Sequence, residues 1–83
     1  MHHHHTRHTL TGEIFHTRSF VTSGPDGPAT LTVVIIQTPT GLRCGYGNGD
    51  LSDALHLLQL HPGDQVRLIL DDDCLVTTVE AAR

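Results

Sequence analysis

Lysine and tryptophan are both missing from this chain, and only three aromatic residues occur, Phe15, Phe20 and Tyr46. The five basic residues are all arginines, set against nine carboxylates, for a formal charge of −4 with histidine neutral. That balance excludes a strongly basic nucleic-acid-binding protein. Asp71, Asp72 and Asp73 supply most of the excess, so the sign describes a local acidic patch more than an acidic protein. No apolar run approaches the roughly 18 residues of a spanning helix. Nor does a basic segment lead into an apolar one at the N-terminus, and the expectation is a soluble cytoplasmic protein without membrane contact.

Chemistry-bearing motifs are equally sparse. The two cysteines, Cys44 and Cys74, stand 30 residues apart with no CxxC pattern. They read as small buried side chains in a reduced compartment, with a disulfide as the alternative. The GYGNG segment at 45–49 lacks both the dinucleotide spacing and the lysine of a phosphate loop. It reads as a strand end and loop that need unusual backbone angles. The Asp71–Asp73 run lacks the alternating acids and glycine of a calcium loop and reads as a solvated turn. No catalytic residue, metal site or cofactor is therefore expected.

What the chain does contain is strand pattern. Residues 1–8, MHHHHTRH, read as a purification tag or disordered tail, or alternatively as a native metal-binding arm, and residues 9–83 as a single domain. A domain this short buries only about 60–65% of its unfolded surface, so a self-association surface is expected. Thr9 to Thr22 is rich in β-branched and aromatic residues, but its apolar positions change parity, which calls for a bulge or bend, and Gly12 is a candidate for a close approach or kink. The Ser23–Pro28 cluster of two glycines and two prolines is a loop.

Ala29 to Thr38 is the strongest strand, apolar on both faces in its second half, and Val34 and Ile36 are assigned there to the side away from the core. Leu42 to Tyr46 is a third strand. From Asp50 the pattern becomes helical, with Asp50 as N-cap and Leu51, Ala54, Leu55 and Leu58 on one stripe that Leu57 and Leu60 widen. Pro62-Gly63 stops it. Gln65 to Leu70 and Cys74 to Val79 complete five strands, with Ile69 pointing outward by parity.

The fold class is thus all-β with one short helix, in the order β1-β2-β3-α-β4-β5. A late single helix after a long bent first strand matches a five-stranded OB-fold-like barrel, with an SH3-like or other small β-barrel as the alternative. On LTGEIF at 10–15, the long second strand and LHPGDQVRLIL at 60–70, the chain resembles the bacterial single-stranded-DNA-binding protein superfamily. The likeness is greatest to small members such as primosomal replication proteins of the B type, and it spans most of the chain.

That resemblance implies a homodimer that binds single-stranded DNA, or RNA, without sequence specificity in DNA replication. The strand would lie across β2 and β3, on a positive groove with aromatic platforms. The residues of this chain that suit such a face are His16, Arg18, Phe20, Gln37, Arg43 and Tyr46. The three carboxylates between β4 and β5 repel phosphate, which keeps a second reading open, a protein-interaction or assembly module with no affinity for DNA. An enzyme is not expected.

Overall fold

The structure, a computed structural model, describes residues 8–82. Its elements are β1 (His8–Gly24), β2 (Gly27–Thr38), β3 (Gly41–Gly47), α1 (Gly49–Leu57), β4 (Gln65–Leu70) and β5 (Val76–Ala81), in the order expected. Apart from His8, which opens β1 opposite Leu70, the tag-or-tail segment lies outside the described residues. The strands form one open antiparallel sheet in the order β3-β2-β1-β4-β5. Among the described residues, β3 meets the segment just before β5 at an isolated parallel bridge, Tyr46 to Leu75, where the Tyr46 N–H donates to the Cys74 carbonyl at 3.3 Å.

β1 is the centre of the sheet. Residues 8–13 pair with β4, and residues 13–24 pair with β2. The register slips between Ile14 and His16, leaving Phe15 as the extra residue of a bulge. Before the slip, Gly12 and Ile14 face the core; after it, Thr17 and Ser19 oppose the buried Val34 and Thr32, and His16, Arg18 and Phe20 point away. The change of parity expected in this segment is real, and Phe15 makes it. Gly12 serves as a close approach, since a methyl group there would collide with the Gln37 carbonyl and stand 2.8 Å from Ile36 Cγ2. The loop expected at Ser23–Pro28 is shorter than its composition suggests. Both strands run through it to a Pro25-Asp26 turn, which Gly27 completes at φ 108°.

The core is one cluster of Ile14, Val34, Ile36, Val66, Leu68 and Leu70 from the sheet with Leu51, Leu55 and Leu60 from the helical region. Val34 and Ile36, assigned from sequence to the far side, are both 0% exposed within it. Alternation alone could not choose between two apolar faces of β2. The partner strand decides, because Gly45 and Gly47 lie opposite Val34 and Thr32 and leave room there for other layers. A Cβ on Gly45 would stand 2.8 Å from Val76 Cγ2, and one on Gly47 2.7 Å from Leu51. Neither glycine has positive φ, so these two are there for space and not for unusual backbone angles.

α1 is capped two residues earlier than its sequence suggests. Asn48 is the N-cap, its side-chain oxygen accepting from the Asp50 N–H at 2.8 Å, and Asp50 becomes a first-turn acid at the positive pole of the helix. Leu51 and Leu55 are buried, whereas Leu57, two residues on and so about 200° round the helix, is exposed and does not widen the stripe. After Leu57 the chain turns back, with Gln59 at φ 55° and the Leu60 N–H bonded to the Leu55 carbonyl, which returns Leu60 to the core. At the other acidic turn, Asp71 Oδ1 accepts from the N–H groups of Asp73 and Leu75, and this delays β5 to Val76. The run of three Asp is a turn, as expected.

The packing at Gly12 is testable by thermal unfolding. Gly12→Ala must displace β2 backbone, at a cost of about 2–3 kcal/mol. In a domain of this size the midpoint should then fall by roughly 10 °C or more. A variant that melts within about 3 °C of the parent would show that the two strands do not approach this closely.

Candidate functional site

Cross-strand register decides which of the six residues suited to a binding face share one. His16, Arg18 and Phe20 of β1 stand opposite Ile35, Val33 and Leu31 of β2. Ile35 and Val33 in turn stand opposite Cys44 and Tyr46 of β3, and Gln37 lies in the next row between Glu13 and Leu42. Partners in an antiparallel ladder point to the same side. Five of the six, His16, Arg18, Phe20, Gln37 and Tyr46, therefore occupy the face of β1-β2-β3 turned away from the core.

Arg43 does not join them. It pairs with the buried Ile36, so its parity is opposite, and its guanidinium folds back to the Leu42 carbonyl at 3.2 Å and the Thr40 hydroxyl at 3.4 Å. One residue of alternation separates a groove-lining arginine from one that braces a turn.

The face is aromatic and apolar. Phe20 and Tyr46 are 42% and 38% exposed, and Leu31, Val33 and Ile35 form a stripe along β2 between them, extended by Leu42. The Arg18 guanidinium lies over the Phe20 ring, 5.2 Å from its centroid, which holds both side chains in place at the surface. Gln37 spends one amide hydrogen on the Thr38 carbonyl at 3.2 Å. Among the described residues of this face, the charge of Arg18 is offset by that of Glu13. The apolar stripe was readable in the alternation of β2. Its outward aim was not, because that depends on the bulge and on the glycines of β3.

Beside the face, a cleft of about 540 Å³ opens between the outer β1–β2 hairpin, the end of β3 and the β4–β5 turn. Leu31 and Leu75 give it apolar walls, and Thr30, Asn48, Asp71 and Thr77 bring polar groups to its rim. The Asp71 carboxylate there is already held by two backbone N–H groups.

Among the described residues, no three His, Cys, Asp or Glu side chains come together as metal ligands, and no helix is long and apolar enough to cross a membrane. The Arg67–Glu80 pair between β4 and β5, 3.5 Å apart, is half-exposed and adds little stability. Both thiols are free and exposed, which corrects the buried reading. Cys44 follows Tyr46 onto the outer face, and Cys74, at φ 63°, is carried on the acidic turn. No family model, curated protein or solved structure matches the chain.

Thiol exposure gives a direct check. A chromogenic disulfide reagent should label both cysteines of the folded protein at rates within roughly tenfold of those in denaturant. Strong protection of either one would contradict its position on the surface.

Proposed function

We propose that this chain is an OB-type barrel, closed where β3 meets β5, that binds single-stranded nucleic acid across the outer face of β1-β2-β3 as a homodimer. The observation that carries this reading is the convergence of His16, Arg18, Phe20, Gln37 and Tyr46 on one sheet face. Two aromatic rings separated by an apolar stripe suit unstacked bases, because every base offers a π-face and stacking needs no sequence readout. Arg18, over Phe20, is the guanidinium available to a phosphate on that face. Binding is consequently driven by stacking and depends little on salt.

Dimerisation has its own support. Among the described residues, β1 from Phe15 to Gly24 has β2 as its only strand neighbour, and this stretch contains neither the proline nor the lysine that blunts an edge. Pairing of the outer part of that edge with a second copy satisfies its backbone groups. It also places two binding faces on one assembly, so that a strand reaching both gains from effective concentration.

A second reading, a protein-docking or assembly module without nucleic-acid affinity, is favoured by one specific observation. The face is mostly apolar and its one arginine is balanced by Glu13. The two readings separate in a titration with oligo-dT at about 50 mM salt. Nucleic-acid binding predicts a saturable signal with a shallow log–log salt slope near −0.7 to −1.4, for roughly one or two phosphate contacts.

Phe20→Ala and Tyr46→Ala should each weaken binding about 5- to 150-fold, the equivalent of one lost stacking contact. Arg43→Ala, on the other side of the sheet, should leave affinity within about twofold. No signal up to about 100 μM oligonucleotide rejects the first reading in favour of the second. Sedimentation should give a dimer at tens of micromolar protein, and a strict monomer would remove the edge-pairing part of the proposal.

A further inference from the structure

Away from the outer face, a second and more polar cleft of about 200 Å³ lies between the middle of β1 and the C-terminal half of α1. Its floor is the buried pair Leu55 and Leu60. Hydroxyls line it from three elements: Thr17 and Ser19 from β1, Thr32 from β2 and Ser52 from α1. His56, from the last turn of α1, and His61, from the segment after it, bring two imidazoles to the same space. Among the described residues, no carboxylate-bearing side chain lines the cleft, in a chain where acids outnumber arginines nine to five.

We infer that this cleft is a binding site for a phosphate-class oxyanion, held by the hydroxyls and by His56 and His61. Hydroxyl and imidazole N–H groups are donors suited to phosphate oxygens, and a carboxylate-free lining avoids like-charge repulsion. The volume is several times the roughly 30 Å³ that a water occupies in the liquid, enough for a phosphate group and part of its hydration. Of the four hydroxyls, Ser19 and Thr32 are already bonded to each other at 3.2 Å, which orders that wall and leaves Thr17 and Ser52 as the freer donors.

The negative pole of α1 faces this region, and three carbonyls of its last turn are engaged. Those of Ala54, Leu55 and His56 accept from the N–H groups of Leu58, Leu60 and Gln59. Three charged groups stand around the site. Arg18 is itself a lining residue, with its guanidinium over Phe20; Asp53 is exposed one turn before His56; and the Asp64 carboxylate accepts from the His61 backbone N–H at 2.8 Å.

The phosphate could be free or could be the terminal group of a nucleic-acid strand, and the test separates the two. Side-chain NMR signals of the histidines in the full chain are followed with inorganic phosphate, with 5′-phosphorylated oligo-dT and with the unphosphorylated oligonucleotide, at about pH 5.5 and pH 8. Residue-specific assignment is needed because the chain contains eight histidines.

The expected result is that His56 and His61 shift together and saturably with inorganic phosphate or the phosphorylated strand. Affinity should be roughly tenfold or more higher at the lower pH, as loss of a charge-assisted hydrogen bond implies. Whichever of the two probes shifts them at lower concentration identifies the source. H56A/H61A, both exposed positions, should lose the response at the assigned Thr17 and Ser52 amides while retaining the parent's folded spectrum. The inference is overturned if neither probe shifts both imidazoles at about pH 5.5, if chloride at matched ionic strength does the same, or if H56A/H61A still responds.

Discussion

The bulge at Phe15 is the constraint on which the rest of this structure depends. β1 must bury its inner side under β4 at one end and against β2 along the other, and a strand with unbroken alternation would keep every even-numbered residue on the side of Gly12 and Ile14. His16, Arg18 and Phe20 would then point into the core. One extra residue exchanges the two sides, so that Thr17 and Ser19 turn inward and an arginine, a histidine and a phenylalanine turn outward. The same event produces a core free of buried charge and a surface with aromatic groups. It also puts the hydroxyls of Thr17 and Ser19 beside α1, where they form one wall of the polar cleft.

Close approach is the second organising element, and small residues provide it. Gly12 lets β1 lie against the Gln37 carbonyl of β2, while Gly45 and Gly47 let Val76 and Leu51 reach the inner side of β3. Side chains at those positions would hold the layers apart and open gaps around Ile36 and Leu68. Cavities of that kind cost a few kcal/mol each, a large share of the total stability of a domain this size. The short helix depends on the same packing. Nine residues do not form a stable helix in isolation, so Leu51 and Leu55 must be buried for α1 to persist.

The outer face shows which interactions can dominate there. One arginine opposed by one glutamate provides little long-range attraction for a polyanion, and exposed charge pairs are worth at most about 1 kcal/mol. Aromatic stacking is worth about 1–3 kcal/mol per base, so the rings outweigh the guanidinium in any nucleic-acid complex. The acidic turn at Asp71–Asp73, next to the Tyr46 end of the face, sets a boundary beyond which phosphates are repelled. Both the apolar character and this boundary suit a ligand that offers flat or apolar groups ahead of charge.

Much of the architecture was legible in the sequence. Element order, the strand at Gln65–Leu70, the helix after the glycine-rich strand and the acidic turn all follow from local periodicity and turn chemistry, because these act over a few residues. Pattern also implied that the first strand changes faces. What only the tertiary structure decided was direction. Whether Val34 and Ile36 or Val33 and Ile35 form the core, whether Arg43 joins Arg18, whether the cysteines are buried, and where the bulge falls all depend on partner strands. In a strand with apolar residues on both sides, alternation defines two faces but cannot say which is covered. That choice is made by neighbours distant in the chain, here the glycines of β3, the leucines of α1 and the single extra residue in β1.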